Sequence, residues 1–392
     1  MGGNLDIAIV GAGIGGLTAA LALQRAGLRP AVFEQAPQLG EVGAGLSLSP
    51  SAAHALRYLG LGAQLDAIAY LPEDQAVRHH KDGRALQWTN RGQSLLDRYG
   101  ERYYLVHRAD LHGALADAVR ANDPDAVRLG RHFVSLTQSA DSVRLAFEDG
   151  SAATADLVIG ADGSRSQVRH ALFGDSGPKY TGYIAWRGLV PMDRVPAGVL
   201  DPPSGIYVGP GHLVNRYPVR GGQLLNFVAF AERADWVEEG WSIRSTVEEL
   251  LADFEDWHPD VRAFLAAVPP ELLFKWGLFD REPLTRWSRG RVTLLGDAAH
   301  PVLPFLGHGA VLAIEDAVLL ARAIAASDDV AQVLARYEAA RIPRASFVVR
   351  ESRKAVKVFH SHEPEKYALK TGGKAADERL GLFDYNPTTV AV

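Results

Sequence analysis

The sequence predicts an α/β protein: a doubly wound, largely parallel sheet, interrupted by a mainly antiparallel β insertion and followed by a helical C-terminal segment. Three observations carry this. The short apolar run Asp6 to Val10 breaks at a turn containing Gly11, Gly13 and Gly16, and Ile14 to Ala26 then shows helical periodicity. Two further apolar runs, Asp156 to Ile159 and Arg291 to Leu295, each lead into a motif pairing Gly with Asp, Gly160-Ala161-Asp162-Gly163 and Gly296-Asp297. Between them, Tyr183 to Phe230 alternates apolar, aromatic and polar residues with frequent Gly and Pro, as antiparallel sheet does.

The first unit reads as strand, helix, strand. The helix stops at Gly27, which serves as its cap, and the next strand, Ala31-Val32-Phe33, closes on Glu34. Its length of about 30 residues is that of a right-handed crossover between parallel strands. From Val311 onward the pattern is helical, through Glu315-Asp316 and from Tyr337 to Phe359, and the Lys- and Gly-rich residues beyond read as a loose tail. The expected domains are 1–178 with 276–345 for the doubly wound part, 179–275 for the inserted sheet, and 346–392 for a C-terminal helix and tail. Residues 75–100 are assignable to the inserted sheet as an alternative.

Composition narrows the function. The chain has 392 residues, and 41 Lys+Arg against 46 Asp+Glu leave a net charge of -5, which argues against nucleic acid as a partner. With no cysteine there is no disulfide, no thiolate nucleophile, no iron–sulfur cluster and no Cys-held zinc, and no metal site is expected. No secretory signal is visible at the N-terminus, and no apolar run is long enough for a membrane span. The expectation is a cytoplasmic monomer or homodimer.

Gly11, Gly13 and Gly16 form G-x-G-x-x-G between a strand and a helix. The first glycine permits the tight turn, the second lets a pyrophosphate approach the backbone, and the third brings helix and strand together. Glu34 ends the next strand roughly 20 residues on, where a carboxylate accepts hydrogen bonds from a ribose diol. The pattern is Rossmann-like, and Glu34 favours a nucleotide with a free ribose, as FAD and NAD have. Gly296-Asp297-Ala298-Ala299-His300-Pro301, followed by Gly307-His308-Gly309-Ala310 and a helix, adds a strand-end carboxylate and a Gly-rich helix start. The first suits ribityl hydroxyls and the second the negative charge of a reduced isoalloxazine, which are the needs of a flavin.

With the Asp162-Gly163 motif and Val106-His107-Arg108-Ala109-Asp110-Leu111, the chain resembles the group A flavoprotein aromatic hydroxylases from Asp6 to about Arg350. These are single-component FAD monooxygenases of the p-hydroxybenzoate, salicylate, 3-hydroxybenzoate and 6-hydroxynicotinate type. The resemblance implies an FAD-binding domain with an inserted substrate domain. Glu34 would bind the adenosine ribose, Arg108 would lie along the phosphate and ribityl region, Asp162 would serve the pyrophosphate and the pyridine nucleotide, and Asp297 would hold the ribityl chain. Plainer roles stand beside these: Arg108 pairing with a surface carboxylate, Asp162 in an ordinary turn, Asp297 as a helix N-cap. The implied reaction uses NADH or NADPH and O2 to hydroxylate an electron-rich aromatic acid or phenol through a flavin C4a-hydroperoxide. The alternatives are a flavin reductase, a halogenase-like enzyme, or a flavin-holding redox sensor without turnover; the Trp-x-Trp-x-Ile-Pro string of halogenases is absent.

For the small aromatic substrate, the resemblance places Pro301 and Phe305 beside the flavin, with strands around Trp186-Arg187 and from His212 to Asn226 as the other wall. His212 is the expected base, with Tyr217 and His308 as the other catalytic candidates. Arg187 or Arg216 is expected to hold an anionic group of the substrate. Two departures from the pattern stand out: His308 replaces the Gln of many relatives, and Ser47 takes the place of a histidine found in the hydroxynicotinate type.

Overall fold

The computed structural model describes residues 5–40, 43–174, 177–236, 243–359, 362–367 and 375–392. β1 (Ile7–Val10) passes through the glycine turn into α1 (Ile14–Arg25) and β2 (Ala31–Phe33). β3 (Gly45–Leu48) precedes α2 (Pro50–Tyr58), α3 (Gly62–Ile68), the hairpin β4 (Asp74–His79) and β5 (Ala85–Asn90), and α4 (Gln93–Tyr99). β6 (Tyr104–His107) runs directly into α5 (Arg108–Asn122). There follow β7 (Val127–Arg128), the meander β8 (Phe133–Gln138), β9 (Val143–Phe147) and β10 (Ala152–Ala155), then β11 (Leu157–Gly160) and α6 (Gln167–Phe173). The long β12 (Lys179–Pro191) opens a run of β13 (Gly205–Gly209), β14 (His212–Val219), β15 (Leu224–Glu232) and β16 (Ile243–Arg244), with α7 (Val247–Ala252), α8 (Pro259–Ala266) and β17 (Phe274–Asp280) behind it. β18 (Val292–Leu294), α9 (Gly309–Ala326) and α10 (Val330–Phe359) complete the main body.

The molecule is α/β with mixed sheets. A five-stranded sheet, ordered β18-β11-β1-β2-β7, is parallel throughout. All four residues of β1 and of β11 are buried, which is why both read as unbroken apolar runs: a parallel strand covered on both faces has no polar side. Gly27 has φ +85°, and its N–H and that of Leu28 bond back to Gln24 and Leu23, so the predicted helix stop is a left-handed glycine turn.

An eight-stranded sheet is ordered β16-β17-β12-β15-β14-β13-β4-β5. β12, β14 and β15 pair antiparallel, and β4 joins through a parallel ladder to β13. Its two faces serve two cores. Ala185, Leu189, Leu213, Tyr217 and Phe230 face the main core beside the parallel sheet. Ile184, Trp186, Val214, Phe227 and Ala229 pack outward against Leu250, Phe254 and Phe264 of the α7–α8 layer.

Residues 74–79 and 85–90 form strands of this sheet, while 93–99 form α4. The expected limit at 275/276 falls inside β17, and the one at 345/346 falls inside α10. The loose-tail expectation is corrected for residues 375–392. Leu382 and Phe383 are buried, and Arg322 Nη1 donates to the carbonyls of Pro387 and Val390, both at 2.8 Å. A few apolar side chains in a polar stretch suffice to dock it; residues 360–361 and 368–374 lie outside the described residues. Among the described residues no helix is long and apolar enough to cross a membrane.

Candidate functional site

The glycine turn sits at the C-terminal edge of the parallel sheet, where β1 meets α1. Gly11 has φ +104°, and a Cβ on it would lie 2.5 Å from the Ala161 carbonyl oxygen; on Gly16 it would lie 2.0 Å from the Gly11 oxygen. Both positions admit glycine alone. At Gly13 a Cβ would meet nothing within 4 Å, so this turn opens onto free space in front of the first N–H groups of α1, which have no carbonyl one turn back. Glu34 is half-buried beside it. Its Oε2 accepts the Ala12 N–H at 2.8 Å and its Oε1 the Ala36 N–H at 2.9 Å, which fixes the carboxylate while leaving further lone pairs.

Asp297 lies on the turn after β18. Its side chain is open to solvent on one side and accepts no hydrogen bond among the described residues. Protein surrounds the rest of it, and that burial pushes its pKa above the usual carboxylate range, against the pull of His300, Arg108 and Arg169. Arg108, the first residue of α5, is thus brought to the same cleft, its N–H bonded to the Ala44 carbonyl at 2.8 Å. Gly309 and Ala310 open α9 beside Asp297: a Cβ on Gly309 would come within 3.8 Å of Asp297 Oδ1.

A buried charge network holds this turn. Asp316 Oδ2 accepts the Gly296 N–H at 3.0 Å and bonds His300 Nε2 at 2.6 Å, while Oδ1 accepts Arg341 Nε at 2.6 Å. Burial alone would raise the Asp316 carboxyl, but His300 and Arg341 outweigh it and hold it at about 2. Next to it, Glu315 receives both Arg344 donors at 2.7 Å and the Ser51 hydroxyl at 2.8 Å.

Asp162 lies beside the glycine turn, where a Cβ on Gly11 would come 3.0 Å from its Cα. Its carboxylate accepts the Ser166 hydroxyl at 2.5 Å and the Val168 N–H at 3.1 Å, bracing the start of α6.

The opposite wall is the inner face of the eight-stranded sheet. Tyr217 and Asn226 are direct partners across β14 and β15. Asn226 Oδ1 accepts the Gly45 N–H at 2.7 Å, while its Nδ2 is buried without a partner. A Cβ on Gly45 would strike Tyr217 Cε2 at 2.4 Å, so glycine lets the strand after Gly43-Ala44 press onto this face. Burial pushes the Tyr217 hydroxyl far above its ordinary range. Arg187 lies on the same face as Leu189, its guanidinium over Trp276 at 5.4 Å. Phe305 packs on Phe230 with ring centroids 5.0 Å apart, and half-buried Pro301 lies upstream on the same loop.

His308 is buried where that loop enters α9. Its Nδ1 lies 2.6 Å from the Leu306 carbonyl, an acceptor, so Nδ1 carries the proton and Nε2 the lone pair. Nε2 has no hydrogen-bond partner, and burial lowers the pKa, keeping the ring neutral. Gly307 before it has φ +65°, and a Cβ there would lie 2.6 Å from Ser47 Oγ.

Two expectations are corrected. His212 and Arg216 are each two residues from Val214 on β14, so they share its outward face, opposite Tyr217. His212 bonds the Pro210 carbonyl at 2.8 Å and meets the Phe254 ring edge-on. Arg216 is fully buried over Tyr207, donating to the carbonyls of Val199 and Pro202, and desolvation pushes its pKa down to about 10. A shift of one residue along a strand reverses the face, and the sequence resemblance was not registered that finely.

Sequence reasoning missed Arg169, which donates to the Ala298 carbonyl at 3.0 Å and so secures the Asp297 turn from α6. It also missed Tyr103, Arg91 and Asp377, which meet behind the pocket. Arg169 lies seven residues after Asp162, a spacing that could have flagged it; nothing local flags the other three.

Comparison with known proteins follows the same lines. The family model described as FAD binding domain matches residues 4–352. A 3-amino-4-hydroxybenzoate 2-monooxygenase of Streptomyces platensis is 40% identical over 375 residues, 95% of this chain and 93% of that protein. A 3-hydroxybenzoate 6-hydroxylase of Klebsiella oxytoca is 37% identical, covering 91% of this chain and 89% of that protein. Among solved structures, Klebsiella pneumoniae HpxO complexed with FAD and uric acid superposes with a TM-score of 0.87 at 31% identity, over 98% of this chain and 97% of that one.

Proposed function

The chain belongs to the FAD binding domain family, and from that premise we propose that this FAD-dependent aromatic monooxygenase acts on an anionic aromatic acid whose ring substituent is deprotonated by His308. The residues present suit the cofactor. The open space at Gly13, the anchored Glu34 carboxylate and the unengaged Asp297 carboxylate provide, in order, room for a pyrophosphate, an acceptor for a ribose diol and an acceptor for ribityl hydroxyls. When bound, FAD supplies the redox chemistry, taking electrons from NADH or NADPH and using O2 to place one oxygen atom on an aromatic ring.

The observation that carries the reading is the state of His308: a buried, neutral imidazole whose Nδ1 proton is committed to Leu306 and whose Nε2 lone pair is unused. Such a nitrogen accepts a proton from a phenolic hydroxyl or amino group, and loss of that proton enriches the ring at its ortho and para carbons. Arg187 on the inner sheet face supplies the positive charge that an aromatic carboxylate requires in an apolar setting. Asn226 Nδ2 offers a second donor, the Tyr217 hydroxyl stays protonated, and Phe305 with Phe230 excludes water. Support for the substrate class comes from the named relatives, which act on 3-amino-4-hydroxybenzoate and 3-hydroxybenzoate. We also assign the parallel sheet with α1, α5, α6 and α9 to the cofactor and the eight-stranded sheet to the substrate.

The test is His308→Gln and His308→Ala in rapid-mixing kinetics with aromatic acids. Both variants should keep FAD and its reduction by pyridine nucleotide while the hydroxylation step slows by roughly 10²- to 10⁴-fold, and H2O2 release should rise. Hydroxylation at the parental rate with the same pH dependence would assign the proton to another group.

A further inference from the structure

The last residues of the chain place a buried carboxylate behind the pocket. Asp377, in the short helix Ala376–Arg379, is buried, and both its oxygens lie 3.0 Å from Arg91 Nη2. Arg91 is buried as well, just beyond β5, with Nε donating to Gln75 Oε1 at 2.9 Å. Its guanidinium lies against two rings, 4.8 Å from the centroid of Tyr103 and 5.4 Å from that of Phe383. Phe383 also comes from the C-terminal segment and packs against Tyr103 at 6.0 Å. Tyr103 in turn lies close enough to the Ser47 hydroxyl for that group to act on its own, and close enough to Tyr217 to act on that hydroxyl electrostatically. Ser47 is the residue that the left-handed turn at Gly307 presses upon, immediately before His308. An unbroken line of contacts thus runs from Asp377 through Arg91, Tyr103 and Ser47 to the loop that delivers His308.

We infer that Asp377 and Arg91 are positioning residues: the C-terminal segment clamps Tyr103 against Ser47 and thereby fixes the pocket wall between Tyr217 and the start of α9. Physical reasons favour this over simple stabilisation. A buried ion pair gains little over apolar residues of the same volume, but here one Arg91 nitrogen meets both Asp377 oxygens while the guanidinium lies against the Tyr103 ring, so pairing and ring contact together orient it. The same segment is held at other points along α9 and α10. Arg344 Nη2 donates to the Leu382 carbonyl at 3.1 Å, and Tyr385 covers Arg344 at 4.0 Å. It is therefore anchored to α10 through Arg344, to α9, the helix that His308 precedes, through Arg322 and the carbonyls of Pro387 and Val390, and, through Arg91, to the end of the eight-stranded sheet. The inference rests on the cleft being the substrate site.

The experiment is a double-mutant cycle on the full-length holoenzyme with Asp377→Asn, Tyr103→Phe and the pair. Dissociation constants for 3-hydroxybenzoate, 3-amino-4-hydroxybenzoate and 6-hydroxynicotinate are read from the perturbation of the bound flavin's absorption spectrum. Asp377→Asn should keep its full FAD content, and each single variant should weaken the tightest of the three ligands about tenfold, with the pair no weaker than either. KM should rise with a smaller change in kcat, and Asp377→Glu should restore part of the loss. Additive effects, or unchanged ligand binding in Asp377→Asn, overturn the inference. Should Asp377→Asn fail to fold, Arg91→Lys, which keeps the charge and loses the flat stack, takes its place with the same criteria. Parent enzyme that binds none of the three acids refutes the substrate reading instead, and the cycle is then scored on thermal unfolding, where additivity overturns the clamp.

Discussion

Arg187 and Arg216 lie on opposite faces of the eight-stranded sheet, and the proposed partner of the substrate is Arg187, on the inner face. Arg216 is sealed between the sheet and the loop at Val199–Pro202, where its donors serve backbone carbonyls. Exchanging it for Met leaves those carbonyls short of a donor, and stability should fall by about 2–3 kcal/mol with KM for an aromatic acid unchanged. Arg187→Met should raise KM by roughly ten- to a hundredfold through the loss of one or two charge-assisted hydrogen bonds to the substrate. Steady-state kinetics and thermal unfolding of the two variants check both halves, and a KM effect at Arg216 would refute the placement. His212, on the outward face with Arg216, is withdrawn as the catalytic base for the same reason.

At the scale of elements, α9 links chemistry to stability. Its start carries His308, Gly309 and Ala310, and further along Glu315 and Asp316 turn inward to five cationic or donor groups. Asp316 is the anchor for Gly296, and so for the Asp297 turn. Its folded pKa of about 2 lies below the 3.8 of a free aspartate, so the charged form favours the fold. The resulting stabilisation, on the order of 2 kcal/mol, is fully present above pH 4 and is lost as pH falls toward 2. Asp316→Asn should remove that acid-dependent component and leave Arg341 with Glu315 but without Asp316, at a cost of about 1.5–3 kcal/mol. Urea unfolding between pH 2.5 and 7 measures it. A variant with parental stability and the same acid dependence would show that the network is not what secures the turn.

For the whole molecule, the eight-stranded sheet is assembled from three separate stretches of the chain: β4 and β5, then β12 to β16, then β17. Its inner face is covered by the main core that includes the parallel sheet. A fragment of residues 179–275 lacks both strands of one edge and most of β17, and would expose Leu189, Leu213 and Phe230 to water. It should therefore show no cooperative unfolding by circular dichroism, because the missing neighbours leave backbone groups and apolar side chains uncovered. A stable, cooperatively melting fragment would show that the inserted sheet is an independent domain.

The amino-acid sequence by itself determined the parallel sheet, the glycine turn with Glu34, and the α9 start, because each is local. A strand buried on both faces must be apolar throughout, and a turn that admits no Cβ must be glycine. Tertiary structure decided which side of β14 faces the pocket, because period-two alternation makes a register error of one residue invert the face, exchanging Arg216 for Tyr217. It also decided the fate of the C-terminal residues. Asp377 and Phe383 lie in a polar stretch with no periodicity of their own, and what gives them a place is Arg91 and Tyr103, nearly three hundred residues away, which only the closed fold brings within reach.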